Sequence, residues 1–302
     1  MITLDTAAAA GPAAPGALMF RLIRAEVLKI RTTSTWWLFL AAIVVITAWG
    51  LLTTGVSHHQ ALQPHLAGLG PAARAQAVAG ATAAHTPASL TGTAASMLTA
   101  GQVLGVLFAM VLGLLVMTNE FSHHTAAATF LTTPRRTAVI VAKLVAAASF
   151  GAACWLVSTV IDAAVTPVYL QTQGVHMSLT QWPVARSVLL SLLAYVLWAA
   201  FGLGLGTIIR SQLGGIAAGL AIYVLGFAVT EGIFHLLYDV YRHGWVLGAP
   251  VLAPAVASLV MTTPRQAFAH APPQWAGLLV MIGYVAALTS TGVVVNRRRD
   301  VP

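Results

Sequence analysis

The chain has 302 residues, of which 58% are hydrophobic and only 7% charged, with a mean hydropathy of +0.85. A soluble domain carries about 25% charged residues, so this composition cannot cover a water-facing surface, and lipid must solvate most of the chain. The net charge of +8 does not point to nucleic acid, because the basic residues sit beside the ends of apolar runs, where anionic lipid and the rules of membrane insertion explain them.

Residues 1–17 are rich in Ala, Gly and Pro and carry one charge, Asp5. They lack the basic-then-apolar pattern of a cleavable signal and read as a disordered cytoplasmic tail. The remainder, 18–302, reads as a single membrane domain. It opens on an amphipathic segment. Phe20, Ile23, Val27 and Ile30 recur at helical spacing on one face, and Arg21, Arg24 and Arg31 occupy another. Glu26 and Lys29 stand at i,i+3, within pairing distance. A basic amphipathic helix directly before a span is expected to lie in the inner interface.

Six apolar runs follow, each long enough for a bilayer core, which takes about 20 helical residues. They are Trp36–Thr54, Ser96–Met117, Leu144–Val165, Val188–Ile209, Leu213–Leu237 and Trp275–Val295. The runs are continuous rather than alternating, which excludes a strand barrel. The expected fold is therefore an all-α polytopic membrane protein with six transmembrane helices. Basic residues set its orientation. Eleven lie on one side: Arg21, Arg24, Lys29, Arg31, Arg135, Arg136, Lys143, Arg210 and Arg297 to Arg299. Four lie on the other: Arg74, Arg186, Arg242 and Arg265. Both termini are thus expected in the cytoplasm. Trp36, Trp37, Trp182, Trp245 and Trp275 fall near the expected interfaces, where aromatic belts sit.

Between the first two runs, Gly55–Ala95 reads as a long outer loop with His58, His59, His65 and His85. No Cys, Asp or Glu stands beside these histidines, so solvated loop residues are expected rather than a metal site. The apolar stretch Trp245–Met261 carries Pro250 and Pro254 and reads as a short outer-face or re-entrant helical element. The single cysteine, Cys154, permits no intrachain disulfide and reads as a small buried residue. Two lysines against thirteen arginines, with abundant alanine, suggest a bacterial source of high GC content.

No phosphate loop, zinc-protease motif or nucleophile elbow occurs, so no catalytic residue and no cofactor are expected. The glycines Gly202, Gly204 and Gly206 lack a following Lys-Ser or Lys-Thr and read as a close helix-packing face. Among the acids, Asp162 falls in the third run and Glu231 toward the outer end of the fifth. Either lines a translocation path or sits at an interface where its charge is cheap, and both readings stay open. A proton relay would need more acids at the midplane than these.

The polar loop from Thr118 to Lys143 is the most informative stretch. It has an acid near its start, an Ala-rich middle and a Pro-Arg-Arg stop. Thr118 or Asn119 can cap a helix, Ala126 to Ala128 favour it and Pro134 ends it. On these residues, and on Arg24 to Trp37 (Arg-Ala-Glu-Val-Leu-Lys-Ile-Arg-Thr-Thr-Ser-Thr-Trp-Trp), the chain resembles the bacterial ABC type-2 exporter permeases. The opening segment of that family looks like residues 24–37. Its first cytoplasmic loop has a glutamate, then a Gly-Thr or similar pair, a helix, a Pro-x-Arg stop and a lysine at the next span. Glu120, Thr125, Leu131, Pro134, Arg135, Arg136 and Lys143 match that pattern. His124 stands where glycine is common.

The resemblance implies a permease subunit in a bacterial cell membrane. Two copies, as a homodimer or heterodimer, would face each other, each docked on a separate ATP-binding-cassette ATPase. The first loop would be a coupling helix seated on that ATPase through Glu120, Phe121, His124, Thr125, Phe130, Leu131, Pro134, Arg135 and Arg136. Members of the family export drugs, antibiotics, peptides, lipids or polysaccharides. Membrane lipids are further partners, and nucleic acid is not. The reading from a different class is a membrane scaffold or assembly protein that transports nothing.

Overall fold

The structure, a computed structural model, describes residues 15–32, 35–122, 136–209, 211–241, 248–264 and 272–298. Every element is helical, and no strand occurs among the described residues. In chain order the helices are α1 (Pro15–Thr32), α2 (Thr35–Leu62), α3 (Pro71–Ala84), α4 (Pro87–Met97), α5 (Gln102–Ser122), α6 (Arg136–Thr172), α7 (Trp182–Ile208), α8 (Gln212–Tyr241), α9 (Pro254–Thr262) and α10 (Gln274–Arg298). A 3-10 turn, Ala249–Leu252, precedes α9. The expected tail 1–17 lies mostly outside the described residues, and its last three residues already belong to α1.

Among the described residues, five segments are long and apolar enough to cross a membrane: Trp36–Leu62, Pro87–Asn119, Thr137–Thr172, Trp182–Ile208 and Gln274–Val295. The chain therefore has the character of a membrane-embedded protein. The fifth expected run lies on α8, a helix of 30 residues, whose stretch Gln212–Ala228 is apolar among the described residues. The helices also outrun the apolar runs that announce them. α2 continues through His58 and His59 to Leu62, and α6 begins at Arg136 and ends at Thr172. A helix, once nucleated, gains a hydrogen bond for each further residue fixed, so polar ends prolong it into the interface. The stretch Gly55–Ala95 is accordingly not one loop. It contains the end of α2, all of α3 and most of α4.

The second and fourth candidate spans form the centre of the bundle, each with 61% of its apolar window buried, against 11% for α10. α5 and α7 meet backbone to backbone. A Cβ added at Gly113 would strike the Ala199 carbonyl, and one at Gly202 would strike the Met110 carbonyl. Gly206 lies in the same seam, against Leu114 and Met117, while Gly204 faces Leu288 of α10. The glycine face read from sequence is thus a packing face, as small residues in membrane helices allow. Around the seam Trp198, Phe201, Tyr223, Met110 and Met261 fill the core. Trp198 stacks edge-on against Tyr223 at 5.3 Å and tilted against Phe201 at 5.1 Å. Cys154 is buried in this core.

The proline-bearing stretch after α8 proves to be the 3-10 turn and α9, with Pro250 and Pro254 each in the first turn of its own helix. Proline is tolerated there because the first N–H groups have no helical partner. Ala255, Ala257 and Met261 are fully buried, so α9 is packed into the bundle rather than laid over it. Trp182 and Trp275 stand in the first turns of α7 and α10, and Trp37 in that of α2, each more than half exposed. That placement suits rings that sit at a lipid–water boundary.

Candidate functional site

Two polar constellations are built into this bundle. The first lies where α1 meets the ends of α5 and α6. Glu26 is buried, and its carboxylate is shared by two ammonium groups. Lys29 Nζ donates to Oε1 at 2.9 Å and Lys143 Nζ donates to Oε2 at 2.9 Å. Lys143 is 1% exposed and also reaches the Val116 carbonyl of α5 at 3.5 Å. The pairing with Lys29 follows from the i,i+3 spacing. The pairing with Lys143 spans 117 positions, and sequence reasoning missed it. The available signal was a lone acid on a basic helix together with a lone lysine at the start of an apolar run, since neither is stable when buried without a partner.

This pair changes the reading of α1. Arg21, Arg24 and Arg31 are exposed, as a basic face requires, and Ile23, Val27 and Ile30 are half-buried. Phe20, expected on the apolar face, is 67% exposed to its surroundings. The anchor of α1 within the protein is therefore Glu26, a charged residue. α5 runs unbroken to Ser122, which corrects the expectation that Thr118 or Asn119 caps a separate helix. Thr118 is buried inside α5, and its hydroxyl donates to the Leu114 carbonyl at 3.1 Å. Glu120 and Phe121 form the end of α5, and Arg136 begins α6. Their side chains lie outside the described residues, as do His124, Thr125, Phe130, Leu131, Pro134 and Arg135.

The second constellation lies inside the bundle. The second span is not one straight helix. α4 ends at Met97, and Leu98 to Gly101 form a turn before α5. There the backbone ladder tightens. Ala100 N–H bonds the Met97 carbonyl at 3.3 Å and Gln102 N–H the Thr99 carbonyl at 3.0 Å, before Gly105 returns to the carbonyl four residues back. Gly101 sits against α2 and α6, and a Cβ there would meet the hydroxyls of Thr47 and Ser158. A larger residue would push the kink off its neighbours. Tyr195 of α7 donates its hydroxyl to the Gly101 carbonyl at 3.1 Å, and Tyr223 of α8 donates to the Val103 carbonyl. These bonds satisfy backbone acceptors near the kink, which lipid could not do.

Asp162 of α6 faces this kink and is 1% exposed. Thr47 Oγ donates to Ser158 Oγ at 3.1 Å, and Ser158 Oγ donates to Asp162 Oδ2 at 3.3 Å. The Gly101 amide also lies beside the carboxyl group. Asp162 Oδ1 has no hydrogen-bond partner, and the same is true of Gln102 Oε1 and Trp198 Nε1. The Asp162 side chain is buried among α2, the turn before α5, and α7. Glu231 falls on α8, and its side chain lies outside the described residues. Thr47, Gly101, Ser158 and Tyr195 were missed from sequence. Only the i,i+4 spacing of Ser158 and Asp162 on one helix face hinted at the cluster.

No protein-family model matches this sequence, and no curated protein matches it.

The histidines of Gly55–Ala95 do not converge. His58 lies on α2, where its ring bonds Ser96 Oγ at 2.7 Å and Thr93 Oγ at 3.2 Å. His59 bonds the Gln173 side-chain carbonyl at 2.9 Å, and His85 the Ala81 carbonyl at 2.8 Å. His58 and His59 are therefore helix residues that hold α2 to α4 and to the turn after α6, not loop residues. Among the described residues, no three groups of metal-ligating type come together.

Proposed function

We propose that the chain is the membrane-spanning permease subunit of a bacterial ATP-binding-cassette exporter, driven by a separate ATPase subunit. In this reading it has six spans, α8 completing the fifth of them, and both termini lie in the cytoplasm. Two copies enclose the path. The polar segment from Glu120 to Arg136 is the coupling element, and its apolar Phe121, Phe130 and Leu131 seat on the ATPase, with charges at the rim giving specificity more than affinity.

The observation that carries this reading is the buried Glu26–Lys143 pair. It ties the amphipathic α1 to the helix that resumes after the polar segment, close to the end of the helix that precedes it. A force applied to the segment would then reach α1, α5 and α6 together, rather than being lost in a flexing joint.

The test is coexpression with a candidate ATP-binding-cassette ATPase, sought first in the reading frames that adjoin the gene for this chain. The two subunits should copurify and support ATP-dependent export in membrane vesicles, while the chain alone hydrolyses no ATP. Phe121→Asp or Leu131→Asp should leave the protein inserted and abolish both copurification and transport. Retention of both would remove the coupling assignment. Orientation is checked separately. Of two engineered cysteines, one replacing His270 should react with an impermeant thiol reagent in whole cells and one replacing Ser122 should not.

A further inference from the structure

The carboxyl group of Asp162 poses a problem that the bundle does not solve on its own. Four elements face it. From α2 comes Thr47, from the α4–α5 kink Gly101, from α7 Tyr195, and from its own helix Ser158. The titratable group among these is Tyr195, with Cys154 and Tyr223 of α8 beyond it, and all are of the acidic kind. Asp162 enters no ion pair among the described residues, whose bridges both belong to Glu26. A buried carboxylate met by one hydroxyl and one backbone amide, with an oxygen left unpartnered, is a costly arrangement in a protein interior, and more so in a membrane span.

We infer that Asp162 is an intramembrane binding site for one monovalent cation taken from the medium, an alkali ion or a proton, each being a source of the same single positive charge. The oxygen set is suited to that charge. Asp162 offers both carboxylate oxygens, and Ser158 and Thr47 add hydroxyl oxygens in line with it. A divalent ion would require further carboxylates, as hard dications are held by several such ligands, and one acid matches a charge of one. The location has the same logic. The site lies where a membrane helix departs from its regular ladder, and interrupted helices are where membrane proteins place small cations. The inference concerns the ligand of this cluster and holds whether or not the chain is a permease.

The experiment uses the full chain purified in detergent or nanodiscs. Thermal unfolding is followed in N-methyl-glucamine buffer, with sodium or potassium chloride titrated in at fixed pH, and separately across pH 5.5–9 without alkali ions. The wild type should gain stability saturably in one series. A response to sodium or potassium at fixed pH identifies an alkali ion, and a pH response that Asp162→Asn lacks identifies a proton. Asp162→Asn has the same shape and no charge to neutralise, so it should lose the alkali-ion response and keep only the pH dependence contributed by the other ionisable groups. Ser158→Ala removes one oxygen of the set and should shift the half-saturating concentration by about tenfold, the usual effect of losing a neighbour that orients a ligand. A wild type indifferent to both series overturns the inference. So does an Asp162→Asn variant that responds as the wild type does. If Asp162→Asn does not fold, an unmoved midpoint in Ser158→Ala overturns it, and a shifted midpoint upholds it.

Discussion

Glu26 and Asp162 are both buried acids in a chain that has few, yet the bundle treats them in opposite ways. Glu26, near the end of α6 that follows the polar segment, is clasped by two lysines at 2.9 Å each. Asp162, facing the kink, is met by one hydroxyl and leaves an oxygen unpartnered. The first arrangement can serve as a fastening, since the Glu26 carboxylate has a cationic partner on each oxygen. The second is incomplete, and so has a use for something that arrives and leaves. Burial alone does not distinguish a structural charge from a ligand-binding one, but the inventory of partners does.

The sharpest way to break the comparison is to remove one side of the fastening. Lys143→Met should cost about 3–5 kcal/mol of stability, because the Glu26 carboxylate loses its buried partner. Adding Glu26→Met should recover most of that loss, since an apolar pair of similar size carries no desolvation penalty. Thermal and denaturant unfolding of the two variants measure both steps. If the double variant is as unstable as the single, the pair is not what joins α1 to α6.

Next in size is the seam that both constellations rest on. Gly202→Val places a branched side chain against the Met110 carbonyl and should cost about 1–3 kcal/mol through overpacking, with loss of compactness on size-exclusion chromatography. Asp162→Asn should not lower stability in buffer without alkali ions, since it removes a charge that no protein group balances and keeps an acceptor for Ser158. A loss as large as that of Lys143→Met would show that Asp162 is also a fastening. The smallest effect belongs to Lys29→Ala. Lys29 is half exposed, and such pairs contribute below about 1 kcal/mol, so its removal should leave α1 in place while Lys143 remains.

These expectations also show what the sequence could and could not express. The apolar runs marked the centres of the membrane helices, because burial in lipid demands unbroken hydrophobicity. Their ends were illegible, because polar residues such as His58, His59, Gln171 and Thr172 sit on the same helices. The Ala- and Thr-rich α3 and α4 have too weak a periodicity to separate helix from loop. The kink at Leu98 to Gly101 has no proline to announce it, and arises from packing against Thr47, Ser158 and Tyr195. The Glu26–Lys29 contact was legible from spacing alone. The Glu26–Lys143 contact was not, since nothing in a single sequence links positions so far apart. Cys154 and the glycine face were legible from residue type and context.

The glycine seam between α5 and α7 has a mechanical consequence. Where two helices touch through interlocking side chains, one can creep along the other by exchanging rotamers. Here Gly113 lies under the Ala199 carbonyl and Gly202 under the Met110 carbonyl, so the backbones themselves interlock, like a key in a shaft. An axial slip of even one residue would drive Leu112 or Leu114, or Phe201 or Leu203, into a carbonyl. The pair therefore turns and translates as one body. Any opening of this bundle must run along its other seams.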